Sequence, residues 1–160
     1  MSEELKSSAQ KVQDFLDSKG HDFVVREFSA STRTAADAAA AIGCEVGQIA
    51  NSLIFRDKKS GEPVLILSSG ANRVSMKKVK AVTGLTLGRA DADFVREHTG
   101  FVIGGVPPVA HPTPLRTLFD VDLDQYDVIW AAAGTPNAVF QIRPADLFAI
   151  TGGEKVDVAE

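Results

Sequence analysis

The run QIANSLIF, residues 48–55, followed by RD, the polar turn KKSG and the run PVLILSS, reads as a hairpin of two strands. In an extended chain side chains alternate between faces, so Ile49, Asn51, Leu53 and Phe55 share one side of the sheet. That face is apolar except for one primary amide. Burying an amide costs about 1–3 kcal/mol unless its donors and acceptor are met. Asn51 is therefore either satisfied by neighbouring groups or turned toward something it binds.

Helical spacing surrounds this hairpin. Leu5, Val12, Phe15 and Leu16 precede Gly20 and predict an amphipathic first helix. HDFVVREF then reads as a strand. In TRTAADAAAAIG, Thr34 and Asp37 have the spacing of a capping box and Gly43 a C-terminal stop. CEVGQ is a short turn or helix. Ser75 caps a third helix, MKKVKAVTG, and Asp91 or Asp93 a fourth ending at HTG. FVIGG, LRTLFDV, DVIWAAA and AVFQIR read as strands, Pro144 starts a last helix, and EKVDVAE is a tail or short final strand. Strands joined both as hairpins and through helices predict an α+β domain, a mixed sheet with helices packed on it. At 160 residues the chain reads as a single domain over 1–160, long enough to bury roughly two thirds of its unfolded surface without disulfide or structural metal.

Composition narrows the function classes. A formal charge of -4 and a pI near 5.4 argue against a general nucleic-acid coat, though not against a local basic patch. The single Cys44 excludes an intrachain disulfide, fits a reducing compartment and reads as an inert buried thiol. The N-terminus has early acids and no secretory pattern, and no run of about 18 apolar residues occurs. The expectation is a cytoplasmic protein with no membrane segment.

The longest connection, in FVIGGVPPVAHPTPLR, passes through Gly104 and Gly105 and is stiffened by Pro107, Pro108, Pro112 and Pro114. Such a loop is either a stiff surface crossover or a rigid cradle of backbone amides for a carbonyl oxygen or carboxylate. His111 in it is a candidate acid, base or donor, or an ordinary loop residue. His21 and His98 read as caps or solvated side chains, and no histidine pair has metal-ligand spacing. Asp120, Asp122 and Asp124 would share a strand face, and a solvent-facing strand end suits them better than a cation site. Arg73, Lys77, Lys78 and Lys80 form a short basic stretch. Lys77 and Lys78 diverge by about 100 degrees on a helix, so the set reads as a solvated face or as contacts to a few phosphates. Phosphate-loop, serine-elbow and dinucleotide motifs are absent from the sequence.

Taken in order, TRTAADAAAAIGCEVGQIANSLIF, VLILSSGANRVSMKKVKAVTG, TGFVIGGVPPVAH and IWAAAGTPNAVFQIRPADL resemble the YbaK/ProX family of aminoacyl-tRNA editing domains. The resemblance covers the chain from about residue 10 to 152. It implies a freestanding relative of the editing domain inserted in bacterial prolyl-tRNA synthetases, which hydrolyses the ester between a wrong amino acid and the tRNA 3′ adenosine. The implied partners are the aminoacyl-tRNA 3′ end and a synthetase, with no cofactor and no metal. The family's Gly-x-x-x-Pro motif falls on Gly104 to Pro108, its late glycine loop on Gly134, Thr135 and Pro136, and its post-hairpin helix on 75–83, with Arg73, Lys77 and Lys78 as implied contacts to the RNA.

Where many family members carry Lys-Ser/Thr-Leu, this chain has Asn51-Ser52-Leu53. An amide donates two hydrogen bonds but brings no charge. The resemblance thus supports three readings: editing with an amide in the lysine's place, aided by His111 or Arg116; binding of aminoacyl-tRNA without hydrolysis; or a pocket reassigned to another small ligand. The first is the leading expectation. In it Asn51 and Ser52 meet the substrate, Gly104 and Gly105 offer amides, Pro108 holds the loop, and Gly134, Thr135 and Pro136 close the amino-acid side. Gly105→Val is then expected to block the pocket with the fold intact.

Overall fold

A computed structural model of the chain describes residues 7–20, 23–29, 32, 34–112 and 115–160. In chain order these form α1 (Ser7–Ser18), β1 (Val25–Glu27), α2 (Ala35–Ile42), a 3-10 turn (Val46–Gln48), β2 (Ile49–Asp57), β3 (Pro63–Ser69), α3 (Met76–Thr83), β4 (Leu87–Arg89) and α4 (Ala92–Thr99). There follow β5 (Arg116–Asp120), a second 3-10 turn (Val121–Gln125), β6 (Ile129–Ala132), β7 (Ala138–Ile142), α5 (Pro144–Thr151) and β8 (Glu154–Val156).

The local signals act as expected. Thr34 Oγ1 accepts from Asp37 N–H at 3.0 Å and starts α2, and Gly43, at φ 85°, ends it by returning its N–H to Ala39. Ser75 and Asp91 cap α3 and α4 in the same way, and Pro144 opens α5.

Seven strands follow the order β1-β7-β6-β2-β3-β5-β8, with β4 added beside β2. The β2–β3, β6–β7, β1–β7 and β2–β4 pairs are antiparallel, whereas β2–β6, β3–β5 and β5–β8 are parallel. The sheet is mixed, and it is buried on both sides. Leu65, Leu67, Phe119, Ala131 and Phe140 pack beneath α1, α4 and α5. The alternate residues face α2 and α3, with Val64, Ile66 and Leu118 against Val79 and with Ile49, Trp130 and Val139 against Ala38 and Ala39.

One irregularity positions the site. β3 occupies one edge of β2 from Ala50 to Arg56. On the opposite edge β6 pairs only with Ile49 and Ala50, and β4 only with Phe55, Arg56 and Asp57. The sheet forks around β2, leaving Asn51 to Ile54 without a strand from the described residues on that side, a gap of roughly 13 Å at the usual rise per residue.

Four readings of the sequence are corrected. FVIGG is a turn rather than a strand, because Val102 O accepts from Gly105 N–H at 3.0 Å with Gly104 at φ 89°, as in a type II turn. Within the described part of HDFVVREF the strand covers Val25–Glu27 alone. LRTLFDV stops at Asp120, where the chain enters a 3-10 turn, so the three aspartates do not line one strand. Asp120 is also fully buried rather than solvent-facing. β4, three residues long, went unread. His21 and Pro114 lie outside the described residues. Among those residues no helix is long and apolar enough to cross a membrane.

Candidate functional site

A cavity of about 530 Å³ opens at the fork of the sheet. It takes residues from both faces of β2, which a continuous sheet would not permit. On the α2 side lie Ile49, Leu53, Phe55, Trp130 and Ala38; on the α4 side lie Val95 and Val106. Asn51, Ser52, Thr32 and Thr34 supply its polar side chains, and among the described lining residues none is charged.

Asn51 is half-buried on the strand face expected from the sequence, opposite Ser68 on β3. Its amide hydrogen-bonds to no described residue. Of the two alternatives for this asparagine, satisfied structural group or group turned toward a ligand, the geometry favours the second. Ser52, one residue on, points to the other face, and its buried Oγ likewise has no partner among the described residues.

The glycine and proline loops behave differently from one another. Gly104 lines the cavity at the tip of the type II turn, and its N–H donates to no described residue. Gly105 does not line it, and its N–H is already given to Val102 O, so the role expected for that amide is corrected. Gly105 is a packing glycine: a Cβ there would stand 2.7 Å from the Thr135 backbone carbon, while its carbonyl accepts from Gly134 N–H at 2.9 Å. Gly134, at φ 95°, is itself held against Ser8. Pro136 O accepts from Thr32 N–H and from its Oγ1, fixing the segment before α2. Gly134, Thr135, Pro136 and Pro108 thus stand behind the wall; none of them lines the cavity. Gly105→Val is now expected to lower stability by about 2–3 kcal/mol through overpacking against backbone, rather than to block the pocket. A urea melt that matches wild type would show that the two loops can part.

His111 also lies outside the lining. Its Nε2–H donates to Pro107 O at 2.8 Å, and the ring meets Phe101 edge-on. It is a clasp across the proline turn, next to Ala110 at φ 68°. Burial pushes its pKa below the ordinary value of 6.5, with the Pro107 carbonyl opposing. The unfolded chain therefore takes up the proton first, so this group's contribution to stability is full above about pH 6.5 and is lost as pH falls below it. His111→Gln keeps an N–H donor but does not titrate. Unfolding midpoints compared between about pH 7.5 and 5 are expected to fall less for the variant; parallel curves would clear His111 of that role.

The expected basic contacts are not at the cavity. Arg73, Lys77 and Lys78 are exposed on or beside α3, and Lys78 pairs with Asp157 at 3.2 Å. Arg116 pairs with Glu154. Two cations the sequence reading missed stand closer: Arg26 lies over the Trp130 ring at 5.6 Å, and exposed Arg89 sits opposite Phe55. Trp130 and Phe55 both line the cavity. Only strand pairing brings these arginines there, so no local signal marked them. Cys44, expected to be buried, is only partly so; it packs with the α2 cluster, and desolvation raises its thiol pKa.

Comparison with known proteins bears on the fold and the family. A crystal structure of a candidate trans-editing enzyme for prolyl tRNA synthetase superimposes with a TM-score of 0.91 at 47% identity, over 98% of this chain and 99% of the other. The crystal structure of hypothetical protein APE2540 superimposes with a TM-score of 0.86 at 31% identity, covering 94% and 99%. Uncharacterized protein YwhH of Bacillus subtilis (strain 168) is 31% identical over 123 residues, 77% of this chain and 78% of its own length. The aminoacyl-tRNA editing domain matches residues 29–150, a span that holds β2 to β7, and so the fork of the sheet, and both glycine loops. This chain belongs to the aminoacyl-tRNA editing domain family, in its YbaK/ProX-like form.

Proposed function

We propose that the protein is a trans-editing aminoacyl-tRNA deacylase, hydrolysing the ester of a mischarged tRNA 3′ end. The observation that carries this reading is the amide of Asn51, without a hydrogen-bond partner among the described residues, in a largely apolar cavity whose described lining carries no charge, on an editing-domain fold. An aminoacyl ester is already activated, so donors that meet the oxygen where negative charge develops, together with a positioned water, suffice. Asn51 Nδ2 and the Gly104 N–H are the donors at hand. Among the described lining residues none is an acid or base. As the water oxygen bonds to the acyl carbon and the ester C–O bond breaks, one proton of that water passes, directly or through the substrate's neighbouring hydroxyl, to the leaving ribose oxygen. Arg26 and Arg89 flank the cavity on the α2 side and suit the terminal phosphates; binding through them would weaken with salt.

Hydrolysis of a panel of correctly and wrongly charged tRNAs, including alanyl-tRNA for proline, tests the proposal. Selective loss of one mischarged ester above the buffer rate is expected. A panel untouched at saturating protein, with the same tRNAs retained on a binding assay, would favour the second reading, a binder of aminoacyl-tRNA. That alternative draws on the asparagine standing where, by the resemblance, many family members carry lysine.

A further inference from the structure

The fork of the sheet leaves backbone as well as side chains facing the cavity. Gly70 N–H donates to Ile49 O, and Asp57 N–H to Glu62 O, so the odd residues of β2 direct their backbone groups toward β3. Lys58 N–H donates to Thr86 O beyond the end of β4, so the even residues direct theirs to the opposite edge. Ala50 is met there by β6, Arg56 by β4, and the Ile54 carbonyl by the Ala90 N–H that the Phe55–Arg89 bridge requires. Among the described residues that leaves the N–H and C=O of Ser52 and the N–H of Ile54 without a partner, beside the Ser52 Oγ, which has none there either. Mid-strand backbone groups so placed are rare in folded proteins.

Resting on the deacylase reading above, we propose that this open edge of β2 binds the aminoacyl group of the substrate as one residue of an added strand. An aminoacyl ester presents an α-ammonium and a carbonyl spaced like the N–H and C=O of a strand residue. The Ser52 carbonyl accepts from the α-ammonium, a charge-assisted bond. The carbonyl oxygen is met by Ser52 N–H if the group lies antiparallel to β2, or by Ile54 N–H if parallel. Both senses use Ser52 C=O, and both place the ester at the floor of the cavity beside Asn51. The edge thereby selects an α-amino acyl group over other esters, whatever its side chain.

The test uses the full chain and a non-hydrolysable probe, 3′-deoxy-3′-(L-alanylamino)adenosine, with its propionyl counterpart lacking the amine. Before addition, amide exchange followed by NMR is expected to be faster at Ser52 and Ile54 than at Asn51 and Leu53, which face β3. With the alanyl probe, exchange at Ser52 or Ile54 slows by about tenfold or more, and the propionyl probe binds at least about tenfold more weakly. Binding without new protection at either amide, equal affinity for the two probes, or no binding at millimolar probe would each overturn the strand-edge proposal. Turnover of charged tRNA with no such protection would retain the deacylase and discard the edge. Protection without turnover would do the reverse.

Discussion

Asn51→Ala is expected to lower kcat for hydrolysis of the mischarged ester by about 100-fold, the usual loss when one donor to a developing oxyanion is removed. The Asn51 side chain makes no hydrogen bond to a described residue, so its truncation breaks no structural contact of that kind. The variant should melt with the wild type, and the kinetic loss can be read as chemistry. If Asn51 also holds the ground-state carbonyl, KM will rise as well; if it acts on the transition state alone, kcat and kcat/KM will fall together. Asn51→Lys keeps a donor and adds a charge in a cavity whose described lining holds none. It is expected to retain turnover. Wild-type rates in Asn51→Ala would remove the amide from the mechanism, and turnover appearing only in Asn51→Lys would make the natural chain a binder.

The largest stability effect is expected far from that amide. Asp120 closes β5, is fully buried, and accepts three hydrogen bonds: from Ser69 N–H at 3.0 Å, Asn72 Nδ2 at 3.0 Å and Asp122 N–H at 2.9 Å. Its carboxylate substitutes for strand partners at the end of the β3–β5 ladder and starts the following 3-10 turn. Asp120→Ala strands these donors, although Asn72 keeps a second acceptor in Asp122 Oδ2 at 2.7 Å. Each buried donor left unmet costs about 1–3 kcal/mol, so a total of about 3–5 kcal/mol is expected. For a chain of this size that lowers Tm by roughly 10 °C. Asp120→Asn, which retains one acceptor oxygen, should fall between the two. Thermal and urea unfolding measure this, and a loss under about 1 kcal/mol would show that solvent reaches and satisfies the site.

Much of this molecule is legible residue by residue because the forces involved are local. A threonine, serine or aspartate meeting the N–H three residues on, and a glycine taking φ near +80°, are decisions made within one helical turn, so Thr34, Ser75, Asp91, Gly43, Gly84 and Gly100 could be placed from the sequence. Alternation along β2 similarly put Asn51 among apolar neighbours and identified it as the residue to explain. Local signals failed where two outcomes have similar short-range character. FVIGG has the composition of a strand, yet Gly104 makes it a turn, and Asp120 carries a charge that predicts exposure, yet it is buried among donors from distant segments.

The sequence by itself determined the helices and their ends, the central hairpin, the mixed sheet and the presence of an amide on a buried strand face, since each follows from periodicity or from contacts a few residues apart. Only the tertiary structure decided what that amide faces. Parallel pairing of β2 with β6 and β3 with β5, and the docking of three-residue β4, join segments tens of residues apart, and no local pattern encodes where one neighbour of β2 stops and the next begins. The fork they leave turns Asn51, Ser52 and a stretch of strand edge into the floor of a cavity, and it moves Arg26 and Arg89, rather than the basic stretch at 73–80, to its rim.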